Sequence, residues 1–487
     1  MTQALSCIGD WFLLCKLCQK SRMALAMKHH PKSSRRQFLK VGVAAFGFPT
    51  IVPSSVFGQN APSNRITLGV VGWGMQGPGN TNAFLAEPDC QVVAACDLDK
   101  NHLAAALTKI NGHYNNTDCK AYSDYREMMA RKDIDAVMLA VPDNWHGLVS
   151  IEALRNGKDV YGEKPLARTI AEQQAIVKAV QKYQRIWQTG SWQRSQDRFR
   201  IAAEIVRNGL IGTIKEVHVG LPSGHNDFAG TKDKMQVTPP PAELDYEMWI
   251  GPATMQPYIE GRIHKNWRWD YNIGGGQLLD WIGHHCDIAH WGMDCDSTGP
   301  GEITPIQADF PPRTDVWNTA TKYRAETKYA NGITMTIAGG HPDIQMGTKW
   351  IGTDGWVWVD RGGFDASKDE LKKAVKRRQK VKENGVDVEK VIEGFEAPKL
   401  GDDIIKTRLY ETKGHQRNFL DCIKSRQPTV TPAETGHRSA TPGHLALMAL
   451  MLNRPLKWDP EKEVIIGDPE ASKLLSREYR GPWKLEA

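Results

Sequence analysis

Beyond residue 58 this chain of 487 residues contains no CxxC pair, and its six cysteines there are too sparse for a disulfide scaffold. Cys90, Cys96, Cys119, Cys286, Cys295 and Cys422 are therefore expected as buried thiols. There is no HExxH and no self-similarity with a period of about 20 to 50 residues, so nothing suggests a zincin-type metal site or a repeat architecture. No apolar run approaches the roughly twenty residues that a stable membrane-spanning helix requires. Charge of one sign is also missing from most of the chain. The formal +6 is concentrated in residues 1 to 40, which hold eight Lys and Arg against one Asp, leaving 54 basic and 55 acidic residues in the remainder. A near-neutral body argues against a nucleic-acid partner. The length exceeds one ordinary hydrophobic core and predicts two domains, and the apolar fraction is that of a globular protein.

What is present is a glycine-rich run, Gly72-Trp73-Gly74-Met75-Gln76-Gly77, between an apolar strand (Ile66 to Val71) and a helix body at Asn82 to Leu85. Strand, turn and helix are the context in which such a run binds a dinucleotide. Gly72 permits the tight turn, Gly74 lets the backbone approach a pyrophosphate, and Gly77 allows close packing of helix on strand. Met75 and Gln76 lie in the same phosphate-facing turn. A second strand, Gln91 to Cys96, ends at Asp97, twenty residues after Gly77. Its carboxylate suits a ribose 2′-hydroxyl and repels a 2′-phosphate, so NAD is expected in preference to NADP.

The doubly wound pattern continues through a predicted helix at Tyr122 to Arg131 and a buried parallel strand at Ala136 to Val141. That strand ends in a polar loop, Pro142-Asp143-Asn144-Trp145-His146, at the carboxyl edge where such sheets bind ligands. A helix from Leu148 to Asn156 leads to the strand Asp159 to Tyr161, and Glu163-Lys164-Pro165 stands at its tip. Pro165 disfavours helical conformations at Lys164, holding it extended at the predicted nicotinamide end of the site.

The basic N-terminus carries Ser34-Arg35-Arg36-Gln37-Phe38-Leu39-Lys40, then the apolar run Val41 to Phe48, then Pro49, Pro53 and small residues to Gly58. This pattern looks like a twin-arginine export signal over residues 1–58 and predicts a periplasmic or otherwise exported protein.

Four stretches together resemble the glucose-fructose oxidoreductase and inositol dehydrogenase family, Gfo/Idh/MocA. They are the glycine run, Pro142 to His146, Glu163-Lys164-Pro165, and Gly274-Gly275-Gly276-Gln277-Leu278-Leu279-Asp280-Trp281-Ile282-Gly283-His284. The resemblance runs from about Arg65 to the C-terminus. It implies an α/β protein with a Rossmann domain, here 65–188, and a C-terminal α/β domain, 189–487, with a large open sheet that often supports homo-oligomers, a dimer or tetramer. It also implies that Lys164, Asp280 and His284 are catalytic without a metal. Pro142, Asn144, His146, Glu163, Lys164 and Gln193 are expected at the cofactor, alongside the glycine turn and Asp97.

The helix predicted from Gln277 places Asp280, His284 and Asp287 on one face at i, i+4 and i+7. With His290 they could be read as metal ligands, but no metal-site pattern supports this, and no metal is predicted. His284 is expected to remove the proton of a secondary alcohol, and Lys164 to hold the developing alkoxide. Asp280 is expected to orient His284 or bind substrate, and Glu163 to bind cofactor or tune Lys164. Substrate-binding expectations extend to Arg194, Trp267 and Arg268, because Trp suits the apolar faces of sugar rings and Arg suits their hydroxyls. Pro239-Pro240-Pro241 opens an insertion-like loop ending at Pro252, and Lys368 to Lys390 reads as a charged, solvated helix. The expected partner is thus a small carbohydrate. The functional classes are an NAD-dependent sugar or polyol dehydrogenase, an enzyme that cleaves or epimerises a glycoside by transient oxidation with tightly held NAD, and a non-catalytic sugar-binding protein.

Overall fold

The computed structural model describes residues 64–374, 378–383, 386–391, 400–401 and 403–486; the expected export segment, 1–58, lies outside them. Six strands form a parallel sheet in the order β3-β2-β1-β4-β5-β6. They are β1 (Ile66–Val71), β2 (Cys90–Cys96), β3 (Lys120–Tyr122), β4 (Ala136–Leu139), β5 (Asp159–Gly162) and β6 (Trp187–Thr189). The intervening helices are α1 (Gly77–Leu85), α2 (Lys100–Tyr114), α3 (Tyr125–Met129), α4 (Asp143–Arg155) and α5 (Ile170–Tyr183). All four residues of β4 are buried, as a strand covered on both faces requires. The strand order reverses between β1 and β4, which opens a crevice at their carboxyl ends.

Two local expectations change here. The helix expected over Tyr122 to Arg131 is only α3, because Tyr122 pairs into β3 and the Asp124 side chain caps the first turn by accepting the Arg126 N–H. The polar loop expected at Pro142 to His146 is the start of α4, with Pro142 at its N-cap. Asp143, Asn144 and His146 are buried in its first turn.

The second half of the chain continues with α6 (Asp197–Arg207), β7 (Ile214–Leu221), α7 (Tyr246–Ile250) and α8 (Gly276–Met293). Then come β8 (Glu302–Asp309), β9 (Lys322–Lys328), β10 (Thr334–Gly339), β11 (Gly347–Gly352), β12 (Gly355–Val359) and β13 (Phe364–Ala366). The charged stretch expected as one helix is instead a short α9 (Asp369–Lys372) followed by an antiparallel hairpin of β14 (Arg378–Glu383) and β15 (Val386–Val391). Val386 and Val388 alternate with Asp387 and Glu389 at the two-residue period of a strand, a signal the charge-based reading passed over. Two helices, α10 (His415–Ser425) and α11 (Ala433–Leu452), precede β16 (Leu456–Asp459) and β17 (Val464–Ile465).

Nine of these strands form an open sheet in the order β13-β12-β11-β7-β10-β9-β8-β16-β17, antiparallel except where β7 meets β10. Helices α8 and α11 pack on each other and on one face of it, around Trp350, Tyr323 and Ile303. By contrast α10 returns to the first sheet, where Phe419, Leu420 and Ile423 share a core with Leu68, Phe84 and Val92. Among the described residues no helix is long and apolar enough to cross a membrane.

Candidate active site

A cleft opens at the β1/β4 switch point, lined by residues of the first sheet and by residues 248–268. Its floor is the glycine turn. Gly72 has φ +91°, and a Cβ there would lie 2.4 Å from Ala140 O; a Cβ on Gly77 would lie 2.0 Å from Gly72 O. Both positions therefore demand glycine, whereas a Cβ at Gly74 meets nothing within 4 Å and would project into open space. Gly74, Met75 and Gln76 line the cleft, and α1 starts immediately after them. A backbone turn with free space above it and a helix N-terminus behind it fits a pyrophosphate. At the tip of β2, Asp97 Oδ2 accepts the Trp73 N–H at 2.7 Å and Oδ1 accepts the Asp99 N–H at 2.9 Å, which fixes this carboxylate at the cleft wall. The residues present thus fit a nicotinamide dinucleotide.

Across the crevice, Pro142 and Asp143 at the start of α4 also line the cleft. His146 ties β4 to the lysine segment: Nδ1 lies 2.7 Å from Pro165 O and Nε2 lies 3.0 Å from Val141 O. Asn144 lies outside the cleft lining, because its Nδ2 donates to Ile250 O at 2.9 Å. Glu163 is buried, and burial pushes its carboxyl up against the opposing pull of Lys164 and Asn80. It accepts 2.7 Å from Asn80 Nδ2 and occupies the space a side chain at Gly190 would need.

Lys164 is the point where the halves meet. Its Nζ donates to Asp280 O at 2.8 Å and to Asp280 Oδ1 at 2.9 Å. Arg268 Nε donates to the same Oδ1 at 3.0 Å, while its guanidinium lies 4.4 Å from the Trp267 ring centre. Burial raises the Asp280 carboxyl, but Lys164 and Arg268 outweigh it and hold the group well below the usual carboxylate range. Gly283 makes the approach of α8 possible, since a Cβ there would lie 3.0 Å from Lys164 Cβ. One turn beyond Asp280, His284 is buried with Nδ1 lacking any hydrogen-bond partner. Burial, then the charges of Lys164 and Arg361, hold its imidazole well below its ordinary value, so it is neutral at neutral pH. A neutral imidazole beside a fixed ammonium can take a proton from a hydroxyl whose oxygen the ammonium stabilises.

The shared face expected for Asp280, His284 and Asp287 divides. Asp280 binds Lys164 and Arg268, and no bond joins it to His284, so it positions the ammonium and not the imidazole. Asp287 pairs with Arg194 at 2.8 Å, and His290 Nε2 lies 2.7 Å from Tyr329 Oη, so these two serve the core of the second domain. Arg194, expected at the substrate, is only 2% exposed and spends its guanidinium on Asp287, Asp296 and the Trp291 ring. Gln193 is fully buried outside the cleft lining, with both amide atoms lacking a protein partner. Trp267 and Arg268 do line the cleft. Asp143 and Gly190 each stood inside a stretch with a sequence signal, Pro142 to His146 and Gly190 to Arg194, without being assigned a role, and Asn80 carries no local signal.

The comparisons with known proteins match both halves of the chain. Residues 66–191 match an oxidoreductase family by its NAD-binding Rossmann fold, and residues 198–394 and 387–485 match that family's C-terminal alpha/beta domain. An inositol 2-dehydrogenase of Salmonella typhimurium is 32% identical over 155 residues, which is 31% of this chain and 45% of that enzyme. A glycosyl hydrolase family 109 protein of Bacteroides fragilis is 34% identical over 132 residues, 26% of this chain and 28% of its own length. The chain thus aligns with less than half of either relative. The crystal structure of scyllo-inositol dehydrogenase from Lactobacillus casei with bound NAD(H) and scyllo-inositol is similar in fold, with TM-score 0.53 and 17% identity over 81% of this chain and 99% of that one. With both halves of the chain matched in sequence and the cleft built at their junction, this protein belongs to the Gfo/Idh/MocA oxidoreductase family.

Proposed function

We propose that this protein is an NAD-dependent oxidoreductase acting on a secondary alcohol of a sugar, polyol or glycoside. The observation that carries the reading is the 2.9 Å pair of Asp280 with Lys164, which lines a cleft that fits NAD, together with buried, neutral His284 one helical turn beyond Asp280. When bound, NAD supplies the acceptor for the hydride leaving the carbinol carbon. His284 takes the hydroxyl proton. Lys164 holds the oxygen and stabilises its growing negative charge, and Asp280 with Arg268 keeps the ammonium aimed. Trp267 offers an apolar face to a sugar ring. Asp97 at the β2 tip supports NAD over NADP, because a 2′-phosphate would meet its carboxylate. The relatives named for inositol and glycoside chemistry support a carbohydrate substrate. Twin-arginine export and a homo-oligomer remain part of this proposal.

A second reading, in which NAD is retained through a transient oxidation that ends in glycoside cleavage or epimerisation, draws on how the cleft is roofed. Residues 243–268 cross to the first domain: Lys100 N donates to Glu243 O at 3.0 Å, Asp245 N to Leu98 O at 3.1 Å and Trp145 Nε1 to Trp249 O at 3.0 Å. These bonds hold the segment over the cleft, which favours retention of a dinucleotide. Lys164→Ala is expected to lower turnover about a thousandfold or more while NAD binding, read by calorimetry, survives; retained turnover would sink the assignment. Wild-type protein that purifies with NAD and cleaves glycosides without net NADH would select the second reading, and NADH formed stoichiometrically with a polyol the first.

A further inference from the structure

The edge of the site beyond His284 carries a cation that forms no direct ion pair among the described residues. Arg361 sits in a tight turn after β12, where Asp360 N donates to Gly363 O at 2.9 Å and Gly363 N donates to Asp360 O at 3.3 Å. Arg198 Nη1 pins the same turn by donating to the carbonyls of Asp360 and Arg361. The Arg361 guanidinium lies 4.4 Å from the centre of the Trp281 ring and 4.6 Å from that of Trp192. Both indoles also stand edge-on to His284, at 5.4 and 6.4 Å between ring centres. Arg361 therefore borders the same aromatic wall as the base.

Other guanidiniums of this region are matched: Arg194 by Asp287 and Asp296, Arg268 by Asp280, Arg200 by Glu204. Among the described residues no carboxylate comes within 4.0 Å of the Arg361 nitrogens, and none of them donates a hydrogen bond. Nε is buried without a partner. The neighbouring Asp360 attracts Arg361 most strongly among the carboxylates, but its Oδ1 lies 3.4 Å from His285 Nε2 without a hydrogen bond and forms no direct pair with the guanidinium. A half-buried cation with unused donors is costly, and stacking on two rings offsets only part of that cost. An arriving anion would offset the rest, and a guanidinium whose faces lie against rings offers its edge, which matches a planar carboxylate through two parallel N–H bonds.

We propose that Arg361 selects the substrate of this site and that the substrate is a sugar acid, a uronoside whose carboxylate binds Arg361 while its carbinol faces His284 and Lys164. The inference rests on the carbohydrate reading above, but its test does not require turnover. Full-length NAD-loaded protein is titrated calorimetrically with methyl glycosides and the corresponding methyl glycuronides of gluco, galacto and manno configuration, and with the 6-phosphates. At least one glycuronide is expected to bind about tenfold or more tightly than its neutral partner. Arg361→Gln is expected to collapse that ratio toward one, and Arg361→Lys, which keeps the charge but loses the fork, to leave an intermediate ratio. Equal or weaker binding of every glycuronide, preference for a phosphate, or an unchanged ratio in Arg361→Gln would each overturn the proposal. Absence of oxidation of every sugar, with the glycuronide preference intact, would instead count against the oxidoreductase reading alone.

Discussion

At the scale of single residues, the catalytic arrangement turns on how His284 is kept neutral. Burial is the largest cause, followed by the charges of Lys164 and Arg361 and by the His285 and His415 rings. Each positive neighbour disfavours imidazolium, so the base stays available below the ordinary histidine range. The acid limb of kcat/KM is therefore expected to lie below pH 6.5. Arg361→Gln removes one opposing charge, raises the His284 pKa and moves that limb upward. A profile measured with one neutral sugar on both proteins checks this; a limb that stays in place would show that Arg361 does not act on His284. Lys164 and Asp280 were legible as chemistry-bearing types in specific motifs. That Asp280 would bind Lys164 and not His284 was not, because the contact joins residues 116 positions apart and depends on the rotamers at both ends.

At the scale of elements, glycines decide which pieces can touch. Gly77 starts α1, and its missing side chain is what lets that helix approach the Gly72 carbonyl. Gly77→Ala places a methyl against fixed backbone, an overpacking cost of about 1–3 kcal/mol. It is expected to lower the melting temperature and to weaken NAD binding about tenfold or more; calorimetry and thermal melts measure both, and unchanged NAD affinity would refute the role given to this turn. The helix α8 shows what periodicity can and cannot supply. Angular spacing put Asp280, His284 and Asp287 on one face, and the helix confirms that they share one element. Seven residues also carry Asp287 about 10 Å along the axis from Asp280. That rise takes it past the cleft into the interior, where Arg194 meets it. Burial pushes the Asp287 carboxyl up to about 6 despite that pairing.

At the scale of the whole molecule, the C-terminal part is stapled back onto the first sheet. Asp89, between α1 and β2, accepts from Arg417 Nη1 at 2.7 Å and Nη2 at 3.0 Å and also from Lys424, both on α10. Burial raises the Asp89 carboxyl, but the two cations outweigh it and bring it from an ordinary 3.8 down to about 2. A depressed carboxyl contributes stability that is present above about pH 4 and lost as pH falls through about 2, here on the order of 2 kcal/mol. Asp89→Asn is expected to be less stable than the parent at pH 7, with the difference shrinking between pH 4 and 2 in denaturant titrations; a pH-independent difference would show that the pairing is not its source. Strands β1, β2, β4 and β5 of the first sheet, its glycine turn, the acid at the β2 tip and the buried helix α8 were legible in local sequence, because hydrophobic period, backbone freedom and side-chain charge act over a few residues; the short edge strands β3 and β6 were not. The open sheet's order, the return of α10 to the first domain, the roofing segment and the unpaired Arg361 were decided only by tertiary structure. They join residues tens to hundreds of positions apart, where which surfaces bury each other, and which charges find a partner, is settled by packing of the entire chain.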